Sequence, residues 1–177
     1  FKVESPGFYS TFDTMKKWLI LQGTWTTVYP GYLMTETKPD KFYSVIEKHL
    51  FSTDYMFEVR MKRKGEIGKG SYIMINGYPY NSTSGLWDDG WDDGYMIGYN
   101  NIGYWFIKKR VNGVETQLAP NPNAVTPAVV PYKWNKLTVY VHDKMIYLWI
   151  NEQYVGKAYD ENFIPRGWVG IGADDQI

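Results

Sequence analysis

Three groups of residues in this 177-residue chain have the types and spacing to do chemistry. The first is WDDGWDDGY, where two consecutive WDDG copies set Trp87 and Trp91 beside Asp88, Asp89, Asp92 and Asp93. Carboxylates this close repel one another, and a cation, solvent or protonation must relieve the repulsion. Hard oxygen ligands are what Ca²⁺ takes, so a Ca²⁺ site on the four aspartates is one reading. The spacing lacks the alternate-residue order of an EF-hand loop, and a solvated acidic loop on the rim of the fold is the other. The second group is Tyr140, Tyr147 and Trp149. A two-residue turn at Asp143-Lys144 sets Leu137 opposite Ile150, Val139 opposite Leu148 and Val141 opposite Ile146, which makes one aliphatic face. The same register sets Thr138 opposite Trp149 and Tyr140 opposite Tyr147 on the other face, because side chains alternate with period two. Trp168, of opposite parity to Val169 and Ile171, is expected to join that aromatic face. The third group is Glu58 and Arg60, which take the non-core parity of a strand whose Tyr55, Phe57, Val59 and Met61 point inward.

Flat rings beside Glu, Asp and Arg suit a sugar: pyranose C–H faces stack on aromatic rings while the hydroxyls bond polar side chains. The candidate ligand-binding set for a glycan or polysaccharide is therefore Trp87, Trp91, Tyr140, Tyr147, Trp149, Trp168, Glu58 and Arg60. The competing reading is that these rings pack beneath loops, since aromatics are mostly core formers. Glycoside cleavage needs two carboxyls about 5 to 9 Å apart. Glu58 is followed by Arg60 and not by a second acid, so no catalytic residue is assigned.

Composition removes several classes. Cysteine is absent, which excludes a disulfide framework and thiolate chemistry, and only His49 and His142 offer imidazoles. His142, beside the turn, reads as a polar surface residue. The formal net charge is zero, so no broad field for nucleic acid is expected. No apolar run reaches the roughly 18 residues of a membrane span, and no signal peptide is visible in FKVESPGF. The chain starts without Met and stops on ADDQI just after a strand-like run, which reads as a piece of a longer protein with neighbouring domains as further partners.

The elements that must position these groups are short strands. Gly and Pro keep interrupting apolar runs in a chain with 18% aromatics, and GTWTTV, PGYLMTET, KFYSVIEKHL, SYIMING and DGYMIGYNNIGYWFIKKR each read as strand text. Asn112-Gly113 in VNGV marks a hairpin, and the Pro-rich APNPNAVTPAVVP is expected to cross from one sheet to the other. FKV reads as a short edge strand, while Phe12, Met15, Trp18 and Leu19 suit one or two helical turns. The expectation is one all-β domain over residues 1–177, an antiparallel two-sheet β-sandwich with little helix.

WNKLTVYVHDKMIYLWINEQYVGKAYDENFIPRGWVGIGA resembles the C-terminal half of concanavalin A-like jelly rolls, the lectin and glucanase superfamily that includes laminin G-like modules and a bacterial sugar-hydrolase-like branch. GTWTTVYPGYLMTE is similar to that superfamily's opening strands and FSTDYMFEVRMK to a central one. The resemblance implies a jelly roll and an exported or cell-surface carbohydrate-binding module. A glycoside hydrolase and a laminin G-like adhesion or spacer module are the alternatives. The superfamily's retaining glucanases carry ExDxE or ExDxxE on one strand, and no such string occurs here. Two further departures stand out. Glu152 occupies the place of the usual Gly in the Asn-Gly turn, so the turn is either strained or one residue longer. If the two-residue turn is kept, Tyr154 falls opposite Trp149 and Val155 opposite Leu148. The usual last strand after the Gly-rich one is missing, and FKV is a candidate to fill that edge.

Overall fold

The computed structural model describes residues 10, 12, 14, 18–28, 32–35, 42–51, 54–64, 66–79 and 90–174. Among them are thirteen strands and no helix. They are β1 (Trp18–Gln22), β2 (Trp25–Val28), β3 (Tyr32–Thr35), β4 (Phe42–Phe51), β5 (Tyr55–Met61), β6 (Gly70–Pro79), β7 (Trp91–Asn100), β8 (Trp105–Val111), β9 (Val114–Ala119), β10 (Asn135–His142), β11 (Met145–Ile150), β12 (Gln153–Tyr159) and β13 (Gly167–Asp174). One sheet has seven strands in the order β1-β4-β13-β6-β7-β8-β9; the other has four, β12-β11-β10-β5; β2 and β3 form a separate pair. All the pairings are antiparallel. The all-β sandwich expected from the sequence is the observed fold.

Period-two alternation builds the core. Phe57, Val59, Leu137, Val139, Val141, Ile146, Leu148 and Ile150 leave the four-stranded sheet on one side and meet Ile73, Ile75, Tyr95, Ile97, Ile107, Val169 and Ile171 from the other sheet. Each fully buried aliphatic side chain stabilises the fold by about 1.5–3 kcal/mol relative to exposure. The β10–β11 register is the one read from the sequence, with Leu137 opposite Ile150, Val139 opposite Leu148 and Tyr140 opposite Tyr147.

Both hairpin turns of the small sheet are two-residue turns with positive φ at each central position: Asp143 (44°) and Lys144 (62°), then Asn151 (50°) and Glu152 (67°). This is the type I′ pattern, whose twist matches that of the flanking strands. The Glu152 turn is therefore the strained one and not the longer one. Asn151 anchors it: its backbone N–H donates to the Lys136 carbonyl at 2.8 Å, its Oδ1 accepts from the Lys136 N–H at 2.9 Å, and its Nδ2 donates to the Ala128 carbonyl at 2.8 Å. Tyr154 lies opposite Trp149 as expected, but Leu148 faces Gly156 and not Val155. Val155 is the extra residue of a bulge. The reason is Trp105 of the large sheet: a Cβ at position 156 would collide with its indole, so the strand places its one glycine there.

Two other expectations change. The helical turns expected over Phe12–Leu19 give way at Trp18, which opens edge strand β1 opposite Glu47 of β4; pairing with a ready partner overrides a short amphipathic pattern. Met15 and FKV lie outside the described residues. The Pro-rich stretch does connect the two sheets, leaving β9 at the edge of one and entering β10 of the other.

Candidate functional site

The outer face of the four-stranded sheet is built by the residues between the core positions. Register places Met56, Glu58 and Arg60 of β5 opposite Tyr140, Thr138 and Lys136 of β10, and Thr138 and Tyr140 opposite Trp149 and Tyr147 of β11. Rings follow one another across this face. His142 and Tyr140 stack at 5.8 Å between centroids, Tyr140 and Tyr147 at 6.0 Å, Tyr147 and Trp149 at 6.1 Å, and Tyr154 meets Trp149 edge-on at 5.5 Å. Tyr140, Tyr147 and Trp149 are half-buried and Tyr154 is exposed. Lys157 lies over Tyr147 with its ammonium 5.9 Å from the ring centre. At the far end His142 Nδ1 pairs with Asp54 Oδ1 at 3.0 Å, both exposed.

At the other end the rings run into a group of charges. Lys136 Nζ lies 3.4 Å from Glu58 and 3.2 Å from Glu152, and Thr138 donates its hydroxyl proton to Glu58 at 3.0 Å. The hydrogen bond to Glu152, with Glu58 beside it, holds the Lys136 ammonium above the usual lysine range despite some burial. Next to this group opens a cleft of about 330 Å³ lined by Arg60, Trp134, Lys136, Asn151 and Glu152. Trp134 is 49% exposed. Of these residues only Arg60 belonged to the site read from the sequence. Lys136 was within reach, since it shares the parity of Thr138 and Tyr140; nothing in local sequence marks Trp134 as open or Glu152 as turned toward a lysine.

The remaining site residues fall elsewhere. Trp168 does not join Tyr140, Tyr147 and Trp149: it lies on β13 of the seven-stranded sheet, edge-on to Tyr78 at 5.6 Å. Its parity was right, but the two sheets turn their non-core faces in opposite directions. Trp91 is a second correction. It opens β7 instead of sitting in a rim loop and is fully buried with Tyr72, Met74 and Met96. It shares odd numbering with core-facing Tyr95 and Ile97, yet the ladder shifts register between Ile75 and Pro79 opposite it, which turns the ring to the other face. No ring face of Trp91 is left for a sugar.

Asp92 and Asp93 are half-buried on β7, and Asp93 Oδ1 accepts the Asn112 N–H at 2.7 Å, holding the β8–β9 turn. Trp87, Asp88 and Asp89 lie outside the described residues. Among the described residues no three acidic or imidazole side chains come together.

A second polar group joins the two sheets. Asp160, after β12, takes the Lys109 ammonium at 2.7 Å and the Tyr95 hydroxyl at 2.6 Å, while the Tyr95 oxygen accepts the Ile164 N–H. Burial alone would raise the Asp160 carboxyl, but the bonds from Lys109 and Tyr95 outweigh it and hold the group below the usual carboxylate range. Burial, reinforced by that carboxylate, pushes the Tyr95 hydroxyl far up. Tyr95 is fully buried, so this group fastens the loop before β13.

Neither a protein-family model nor a curated protein matches the chain. Solved structures do. A carbohydrate-binding module from Bacillus subtilis, CBM66, is 17% identical over 90% of this chain and 88% of its own, with a TM-score of 0.69. A Bacillus licheniformis β-glucanase is 15% identical over 96% of this chain and 86% of its own, at 0.64. The carbohydrate recognition domain of Emp46p is 9% identical over 93% of this chain and 87% of its own, at 0.61. Likeness at this level of identity speaks for the backbone arrangement alone. With its two antiparallel sheets and in overall superposition, this chain has the concanavalin A-like jelly-roll fold.

Proposed function

We propose that this chain is a carbohydrate-binding module of an exported or cell-surface protein, and that it holds glycan on the outer face of the four-stranded sheet. The observation that carries the reading is the row Tyr140, Tyr147 and Trp149, half-exposed and in ring contact, ending beside the cleft of Arg60 and Trp134. Rings in this setting offer apolar surface to sugar C–H groups, while Glu58, Arg60 and Glu152 supply acceptors and donors for hydroxyls. The likeness to a carbohydrate-binding module and to a carbohydrate recognition domain agrees with it. Titration against a polysaccharide panel tests the proposal. Trp149→Ala should weaken the best ligand at least tenfold, about 1.4 kcal/mol, as the loss of a central aromatic anchor does. Unchanged affinity in both Trp149→Ala and Tyr147→Ala would remove this face as the site.

A hydrolase is the second reading, favoured by Glu58 and Glu152 as two carboxylates on one face and by the likeness to a β-glucanase. The Lys136 ammonium is bound to both. Turnover of any glycoside that disappears in Glu58→Gln would favour the enzyme. Ca²⁺ on Asp88, Asp89, Asp92 and Asp93 is a separate proposal that rests on the repeated WDDG. A rise in Tm on adding millimolar Ca²⁺, abolished in Asp92→Asn, is its test.

A further inference from the structure

We infer that the cleft takes a sugar residue carrying an anionic group, a carboxylate or a sulfate, and prefers it to the uncharged counterpart. The inference rests on the glycan reading above and adds the substrate class. Its basis is Arg60, the cleft cation that no carboxylate among the described residues holds, whereas Lys136 beside it is already paired with Glu152 and Glu58. Glu58 is bound to Lys136 and Thr138 and is not among the lining residues.

The two cations differ in what they hold. Lys136 is shared by Glu58 and Glu152. Arg60, directly opposite Lys136 in the ladder, makes no hydrogen bond or ion pair among the described residues. Like charges set opposite each other across two strands are unfavourable, and the carboxylates relieve this on the lysine side only. A guanidinium presents its N–H donors as a planar fork that matches a carboxylate or sulfate with two parallel bonds, stronger than bonds to neutral hydroxyls. The exposed Trp134 indole beside it supplies the apolar wall for the ring that bears the anion. Along the ring row, Lys157 is a further cation that among the described residues lies over the Tyr147 face, so a glycan with repeated anionic groups would meet a second positive charge there.

Matched polysaccharides test this on the chain as it stands. De-esterified and fully methyl-esterified homogalacturonan share a backbone and differ in carboxylate charge, and chondroitin sulfate and its desulfated form differ in sulfate. In one pair or the other the charged form should bind at least tenfold more tightly in 50 mM salt. That advantage should shrink at 500 mM salt. Arg60→Gln should reduce the charged-to-neutral ratio at least fivefold. Arg60→Lys should fall between, because it keeps the charge and loses the fork. Equal or tighter binding of the neutral member of both pairs, or an unaltered ratio in Arg60→Gln, overturns the inference while leaving a glycan module in place. Absence of binding to these and to every other glycan overturns both readings together.

Discussion

Both outer faces of the sandwich carry large rings at non-core positions, and the two faces are in different states. On the four-stranded sheet Tyr140, Tyr147 and Trp149 stand half-exposed in a row. On the seven-stranded sheet Tyr72, Met74 and Trp91 are fully buried, with Met96 nearly so and Phe106 and Trp168 packed against them. Glycines make part of the difference. A Cβ at Gly172 would strike the Tyr72 ring, and one at Gly98 would meet both Tyr72 and Phe106, so these rings lie close against the backbone. On the small sheet Tyr140, Tyr147 and Trp149 contact one another side by side, with Thr138, Lys136 and Glu58 as their polar neighbours in the ladder. The lesson is that parity assigns a side chain to a face, whereas exposure depends on what the neighbouring strands leave beneath it and above it.

The sharpest way to break this contrast is to truncate one ring on each face. Trp91→Ala should destabilise the fold by about 3–5 kcal/mol, the range for emptying a large buried aromatic site. Trp149→Ala should lower stability by less than about 1.5 kcal/mol and act on binding instead. Chemical denaturation of the two variants separates these outcomes, and a Trp91→Ala loss under about 1 kcal/mol would mean that the large sheet's outer face is open after all. Gly172→Ala comes next, at about 1–3 kcal/mol, because the added methyl must displace the Tyr72 ring. Thr138→Ala on the open face should stay under about 1 kcal/mol; equal effects would erase the distinction.

A smaller effect belongs to the polar group that ties the two sheets. Asp160 has a lowered value in the folded chain, so its contribution is present above the unfolded aspartate value near pH 4 and is lost as pH falls through the folded one. Tm measured from neutral pH down to about pH 2 should fall in the native chain, and the part of that fall due to this group should vanish in Asp160→Asn. Identical slopes in both proteins would deny Asp160 this role. The smallest expected change is at the turn of the open face. Glu152→Gly should stabilise by about 0.5–1 kcal/mol, raising Tm by about 2 °C, since glycine adopts positive φ freely and the exposed Glu152–Lys136 pair is worth little. A lowered Tm would show the pair to matter more than the strain.

Much of the fold was legible because it rests on local pattern. Leu137, Val139 and Val141 against Ile150, Leu148 and Ile146 can be paired by counting from Asp143-Lys144, and Tyr140 and Tyr147 then follow on the reverse side. The bulge at Val155 was not legible, because its cause is Trp105, about fifty residues away and on the other sheet. Trp91 and Trp168 were misplaced for the same reason: a register shift opposite β7 and the assignment of β13 to a sheet are set by partners distant in sequence. The site was half legible. Glu58, Arg60, Tyr140, Tyr147 and Trp149 share a face as read, whereas Trp134 and Glu152 enter it only through the cleft.

By itself, then, the sequence determined the class of fold, the aliphatic side of the β10–β11 hairpin and the ring-bearing side behind it. Periodicity and turn chemistry act between near neighbours, so one chain of letters suffices to state them. Tertiary structure alone decided which rings are open, which sheet Trp168 joins and which charges meet at the cleft. Those depend on sheet order and on bulges, where a residue's environment is made by strands that the local pattern does not name.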